Sequence, residues 1–373
     1  MLQRTETITS GTWRWNLIKL LGSGSTSKVH LAYDLVTGKN VAIKVFQQSS
    51  ASDIKYIQEE VVIHSLFSHE HIIELENYHQ CMTYYDKENN KQNVAGLVVE
   101  YAEEGDLLSL LKKVGSFSEV VARSYFQQLI SALEYIHEKE YNHRDVKIEN
   151  LLLDKDFCIK LADFGCAVKV NPEKSVVKAL GSKKYYAPEM HETTYYAKDR
   201  ADLFAATVVL FTIVVGHQPF EKATKEDKFY SLIMKNDYLQ FWYLHEKMAM
   251  ERTGSQTLCD WSKGFKSLIM RMFSYTPGKR PTIEQIKKDK WFKGEVFTRE
   301  EVKKNISKLL KAKGKVASSE YIASEYESLP VSAMKRQSTL PIKVDRALPI
   351  DIERAKSIWN SKCPISMQIS GIF

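Results

Sequence analysis

A chain of 373 residues exceeds the ~250–300 at which a single hydrophobic core stops growing, so one large or two smaller cores with a tail are expected. Hydrophobic residues at 44% and charged residues at 27% exclude a chain held unfolded by its own charge. The net charge of +7 comes from scattered lysines without a long block, so it reads as a solvated basic surface and no nucleic-acid partner is expected.

Met1 to Ser10 is polar and lacks the apolar centre of a signal sequence, and residues 1–14 read as an N-terminal extension. From Trp15 to Val45 apolar and polar residues alternate around a glycine turn, as in Leu20-Leu21-Gly22, Val29-His30-Leu31-Ala32 and Val41-Ala42-Ile43-Lys44-Val45, which predicts twisted antiparallel strands. Ile54 to Phe67 changes to a helical period, with Ile57, Val61 and Leu66 on one side and Glu59 and Glu60 between them. The polar run Tyr84 to Asn93 predicts a hairpin loop. Val94 to Tyr101 returns as a strand that ends in Ala102-Glu103-Glu104-Gly105-Asp106, a linker between lobes.

Beyond the linker the pattern is helical over Leu107–Lys113, Ser118–Lys139, Asp199–Val215, Lys225–Lys235 and Ser262–Phe273. Apolar residues in Leu239 to Met250 read as core. After Phe292 the composition turns to Lys, Ser and Glu, with a weak helix near Glu300 to Leu310 and a mostly disordered remainder. The division expected is therefore 15–292 as the folded unit, with a small lobe over 15–101 and a larger one over 102–292, and 293–373 as a tail. The longest apolar stretch, Leu203 to Gly216, is too short to span a bilayer, so no membrane insertion is expected. Cys81, Cys158, Cys166, Cys259 and Cys363 are odd in number and irregularly spaced, which suits free thiols in an intracellular, cytoplasmic setting.

Three groups of residues carry chemistry. In Gly22-Ser23-Gly24-Ser25-Thr26-Ser27-Lys28-Val29 the two glycines let backbone N–H groups approach phosphate oxygens, although a flexible hairpin would read the same way. Lys44 is a cation in an apolar strand, costly to bury unpaired; Glu60 on the following helix is its natural partner and Glu59 the alternative. His143-Arg144-Asp145-Val146-Lys147-Ile148-Glu149-Asn150, followed by Asp163-Phe164-Gly165, supplies one base, one phosphate clamp and two oxygen ligands suited to magnesium. His64, His69 and His71 read as structural histidines rather than metal ligands, and Cys166 as either a reactive thiol or a small apolar residue.

In this ordered set, together with Ala187-Pro188-Glu189, Asp202 and Arg280, the chain resembles the eukaryotic protein kinase family over about Trp15 to Phe292. The resemblance implies an α+β, two-lobed protein kinase fold: a small antiparallel β-sheet lobe of five strands with one main helix, and a larger helical lobe. It implies ATP and Mg²⁺ as cofactors and serine or threonine hydroxyls of protein substrates as acceptors. Lys44 would hold the α- and β-phosphates and pair with Glu60, Asp145 would orient the acceptor hydroxyl, and Lys147 would touch the γ-phosphate. Asn150 and Asp163 would hold the metal. Leu21, Gly22, Ser23, Gly24, Ser25, Thr26 and Ser27 would cover the nucleotide. Adenine would lie between Val29 and Ala42 above and Leu152 below, bonded to the backbone of Glu100 and Ala102, with Val99 guarding the deeper pocket. Asp106 and Glu149 match positions that receive a basic residue upstream of the target hydroxyl; Asp106 would alternatively bind only the ribose. Arg280, in Pro277-Gly278-Lys279-Arg280-Pro281, would pair with Glu189. The loop of Lys147 and Gly181-Ser182 indicates serine/threonine specificity, and Leu151-Leu152-Leu153-Asp154 with Ile286 to Phe292 resembles the calcium/calmodulin-dependent and AMP-activated kinase group.

Arginine before the catalytic aspartate usually goes with a phosphorylated activation loop, yet Lys178 stands where related kinases carry the phosphorylated threonine. Activity is therefore expected to be constitutive, or switched by an upstream kinase through Ser175, or through the tail, where Lys335-Arg336-Gln337-Ser338 resembles a target. A scaffold that binds nucleotide without transfer is disfavoured because Lys44, Asp145, Asn150 and Asp163 are all present. A small-molecule or lipid kinase is disfavoured by Ala187-Pro188-Glu189 and the helical lobe.

Overall fold

The computed structural model describes residues 6–24, 27–46, 51–170, 180–192, 198–254 and 260–314. Ser175, Lys178, Ser338, Cys259, Cys363 and the expected disordered tail beyond 314 lie outside the described residues.

The small lobe is built from β1 (Thr7–Ser10), β2 (Trp13–Ser23), β3 (Ser27–Asp34), β4 (Asn40–Phe46), α1 (Ala51–Ser65), β5 (Leu75–Tyr85) and β6 (Lys91–Glu100). Alternation along these strands sends Ile8, Trp15, Val41, Ile43, Met82 and Val98 into one cluster, which is why the sheet curls around it. Five strands are expected from the sequence, but six close into an antiparallel barrel in the order β1-β2-β3-β4-β6-β5. The sixth is β1, from the segment read as an extension. It pairs Thr7 with Asn16 on β2 and with Tyr85 on β5, and buries Ile8 completely. Closure removes the exposed strand edges that β2 and β5 would otherwise present. Outside the barrel, Ile57 and Val61 of α1 pack on Phe46, Leu75 and Leu97.

The larger lobe follows through β7 (Gly105–Asp106), α2 (Leu107–Val114), α3 (Glu119–Glu138), β8 (Tyr141–Asn142), β9 (Leu151–Leu153), β10 (Ile159–Leu161) and β11 (Val168–Lys169). It continues with α4 (Pro188–Glu192), α5 (Lys198–Val215), α6 (Tyr230–Met234), α7 (Tyr238–Thr253), α8 (Lys263–Met272), α9 (Ile283–Lys288) and α10 (Arg299–Gly314). Ser118 caps α3 by accepting from the Val121 amide, and α5 runs apolar on all sides through the centre of the lobe. Helix α6 is shorter than the expected Lys225–Lys235, because the Asp227 carboxylate accepts from the amides of Glu221, Phe229 and Tyr230 and holds the preceding residues in a loop. Helix α7 is core on one face alone: Phe241, Trp242 and His245 are buried, whereas Leu239 is 87% exposed.

Helix α10 lies in the segment read as a tail. Val302 and Ile306 are buried in the large-lobe core, with Leu309 and Leu310 packed against it. Lys303 reaches Asp156 at 2.7 Å, and Arg299 pairs with Glu70 in the loop after α1. No helix among the described residues is long and apolar enough to cross a membrane.

Candidate active site

The turn between β2 and β3 closes with the Gly24 amide donating to the Ser27 carbonyl at 2.8 Å. A Cβ at Gly22 would meet nothing within 4 Å, so the fold itself does not demand a glycine there. Ser25 and Thr26 lie outside the described residues.

Beneath this turn, strand register gathers the ceiling of a cleft. Val29 stands opposite Lys44, Leu31 opposite Ala42, and Ala42 opposite Val99. The floor comes from β9, where Leu152 pairs with Asp106 at the start of the larger lobe. The amide of Glu100 donates to the Glu74 carbonyl at 2.9 Å, and its carboxylate pairs with Lys160 at 2.8 Å, which fixes the segment leading to Ala102.

The Lys44 ammonium is 2.6 Å from Glu60 and 3.1 Å from Asp163. Glu60, not Glu59, is thus the partner, and the lysine points into the cleft instead of reaching out to solvent. Burial alone would lower the Lys44 pKa, but the charges and hydrogen bonds of Glu60 and Asp163 outweigh it and hold it above its ordinary value. Burial also pushes Asp163 upward, and the Lys44 charge reverses this, leaving the carboxyl below its usual range. Asp163 occupies a left-handed backbone conformation at φ 66°, uncommon for a non-glycine residue and kept here by the contacts of its neighbours.

Asp145 is buried and fully directed. Its Oδ1 accepts from the Ser182 amide at 3.0 Å, and its Oδ2 accepts from Lys147 at 2.5 Å and from Asn150 Nδ2 at 3.2 Å. Burial works against the Lys147 charge, but the hydrogen bond and charge of Asp145 raise its pKa. The backbone that presents Asp145 is held from below by Asp202, whose carboxylate accepts from the His143 amide at 2.9 Å, the Arg144 amide at 2.8 Å and His137 Nε2 at 2.9 Å. His64 stacks on Phe164 at a ring-centroid distance of 4.7 Å and His143 meets it edge-on at 5.0 Å, so ring contacts tie α1 to the Asp145 loop.

Several of these contacts are not legible as motifs. The Ser182 amide on Asp145 is a backbone group, and its one signal is Gly181 beside it. The Tyr185 hydroxyl donates to Glu149 at 3.1 Å, which joins the Asp145 loop to the Gly181–Tyr185 segment. Asp106 caps α2 by accepting from the amide and hydroxyl of Ser109 at 2.8 and 2.7 Å. His69 bonds Ser131 and His71 bonds the Ile159 carbonyl, and no group of three or more His, Cys, Asp or Glu able to hold a metal occurs among the described residues. The Cys166 thiol is pushed up to about 11 by burial and by Asp145 and Asp163, the behaviour of an inert thiol. Glu189 and Arg280 form the bidentate ion pair that the resemblance implies, at 2.7 and 2.6 Å.

Residues 15–292 match the model of the protein kinase domain. The chain is 34% identical over 284 residues to a carbon catabolite-derepressing protein kinase of Candida tropicalis, a match covering 75% of this chain and 41% of that protein. It is 29% identical over 286 residues to CBL-interacting protein kinase 14 of Oryza sativa subsp. japonica, covering 75% of this chain and 59% of the relative. The match thus takes in between two fifths and three fifths of these relatives. With the cleft, the Lys44 to Glu60 pair and the Asp145 loop in place, the chain belongs to the eukaryotic protein kinase family, serine/threonine type.

Proposed function

We propose that this chain transfers the γ-phosphate of ATP to serine or threonine hydroxyls of other proteins. The observation that carries this reading is the double engagement of Lys44 with Glu60 and Asp163, beside an Asp145 whose two oxygens are already aimed by Ser182, Lys147 and Asn150. Phosphoryl transfer asks for positioning and charge neutralisation more than for covalent help. Lys44 binds the α- and β-phosphates, while Leu21 to Ser27, with Val29 and Ala42, cover the nucleotide. Val99, Glu100, Ala102 and Leu152 seat the adenine, and Asp106 and Glu149 stand at the mouth of the cleft. Asp145 orients the acceptor hydroxyl and takes its proton, and Lys147 steadies the transferred group. The catalytic unit is 15–292, in lobes 15–101 and 102–292, with β1 added to the small lobe and α10 docked on the larger one.

The donor set fits magnesium, which keeps several waters and needs one or two protein oxygens beside the phosphates. Asn150 commits its Nδ2 to Asp145, and the Asp163 side chain is 46% exposed to the cleft, so Asn150 and Asp163 would hold the ion. When bound, it neutralises phosphate charge. Cys81, Cys158 and Cys166 are free thiols, which supports an intracellular, cytoplasmic setting.

The test is incubation of the purified chain with radiolabelled ATP, magnesium and a generic basic protein. Label on serine or threonine is expected. Nucleotide binding without label transfer would instead favour a scaffold.

A further inference from the structure

Between the two carboxylates that bracket the Lys44 ammonium runs a short chain of hydrogen bonds outside the cleft. Glu60 and His64 stand one turn apart on α1 and so share a helix face. Glu60 reaches Lys44 at 2.6 Å, and the buried His64 donates from Nε2 to the Ile73 carbonyl at 2.8 Å. The Ile73 amide in turn donates to the Leu161 carbonyl at 3.0 Å, and Leu161 ends β10 just before Ala162 and Asp163. Glu60 and Asp163 are thereby set relative to one another through His64, Ile73 and Leu161.

The far end of this chain is fixed. Residues 68–73 follow α1 in sequence, yet they are fastened to the larger lobe. The Ser68 amide donates to the Tyr135 hydroxyl at 3.1 Å, His69 bonds Ser131 at 3.2 Å, and His71 bonds the Ile159 carbonyl at 3.2 Å. The Leu161 amide donates to the His71 carbonyl at 2.8 Å. Helix α1 itself meets the barrel through Ile57 and Val61, and the larger lobe through Ile63 and Phe67. Such apolar contacts are non-directional and tolerate a helix that rolls, whereas a hydrogen bond to an anchored carbonyl does not. A leucine in place of His64 would still touch Phe164, but it would take this donor from the carbonyl of Ile73, a residue only 2% exposed. Burial keeps the imidazole neutral, with its pKa at about 4, and the bond to a carbonyl places its one proton on Nε2.

We propose that His64 is a positioning residue for phosphotransfer: its hydrogen bond to the Ile73 carbonyl sets the roll of α1 that places Glu60 on Lys44, a task that apolar packing at this position does not perform. This rests on the kinase reading above. Without the bond, Glu60 drifts from Lys44 and the ammonium is aimed less well at the α- and β-phosphates. The loss therefore falls on ATP and on the transfer step, and the protein substrate is bound as before.

The test uses His64→Gln and His64→Met, side chains of similar length of which Gln alone carries an N–H donor, together with His64→Leu. Each full-length variant, checked by circular dichroism for an intact fold, phosphorylates a generic basic protein at varied ATP and varied protein concentration. Met and Leu should lower kcat about three- to tenfold and raise the KM for ATP by a similar factor, with the KM for the protein unmoved. Gln should stay within about twofold of the parent. In a Glu60→Gln background, where the ion pair is already gone, His64→Met should cost little more. Should the leucine variant fail to fold, the Gln and Met pair still decides. Met or Leu variants as active as the parent, a Gln variant no better than Met, full additivity with Glu60→Gln, or a fall in kcat that leaves both KM values unmoved each overturn the proposal while the kinase reading stands. A parent chain that labels no protein overturns the kinase reading and this proposal with it.

Discussion

His64 on α1 and Phe164 after Asp163 lie nearly face to face, with ring centroids 4.7 Å apart and planes 29° from parallel. The imidazole is buried and its Nε2 donates to the Ile73 carbonyl at 2.8 Å. Burial holds its pKa down at about 4, against 6.5 when unfolded. The folded form therefore resists a proton that the unfolded chain accepts. Its stability contribution is full above pH 6.5 and is lost as pH falls toward 4.

Urea unfolding at pH 7 and pH 5 should show ~2 kcal/mol of stability lost through His64. His64→Leu keeps the apolar contact and should remove that share of the acid loss. His79 and His217, each held at about 4 by burial, and His245, held lower still, would add to the loss. An unchanged acid loss in His64→Leu contradicts the assignment.

Arg280 is 1% exposed at its side chain and clasps Glu189 with two hydrogen bonds while donating to the Ser274 carbonyl at 2.8 Å. Arg280→Ala takes both of those hydrogen bonds from Glu189 and should cost ~3–5 kcal/mol, lowering Tm by on the order of 10 °C. Arg280→Lys should recover little, since a single ammonium cannot match the two-pronged geometry. Calorimetry decides it.

Ile306 and Val302 anchor α10 to the larger lobe. Ile306→Ala should destabilise the protein by ~2–4 kcal/mol, and a chain cut after Phe292 should melt lower than the full chain. Equal melting temperatures would mean that α10 adds nothing to the fold.

Cys166 and Cys81 differ in exposure, Cys81 being exposed and Cys166 half-buried among carboxylates. Iodoacetamide at a pH of about 7.5, followed by peptide mass mapping, should modify Cys81 and spare Cys166. Faster labelling of Cys166 would refute an inert thiol.

Much of the site is legible in the sequence because its chemistry needs particular side chains at fixed intervals. Lys44 in an apolar strand demands a carboxylate, and the helix after it offers two. Helical phase leaves Glu59 open, and the 2.6 Å contact selects Glu60. What escapes the sequence is of another kind. Strand β1 has four residues and a single buried apolar side chain, too little for an alternation signal, yet it closes the barrel. Helix α10 carries many charges around Val302 and Ile306, so its docking follows from tertiary contacts and not from its own pattern. The Ser182 amide on Asp145 is invisible to any reading of side chains.

Lys44, Glu60, Asp163 and Asp145 are proposed to work as one electrostatic assembly around the phosphates. The most direct measurement compares the rate of label transfer from ATP by the parent chain with that of Lys44→Met and Asp163→Asn, each first checked by circular dichroism for an intact fold. Both variants should lose at least roughly a hundredfold in kcat/KM. Well-folded variants that transfer label as fast as the parent would contradict that assembly.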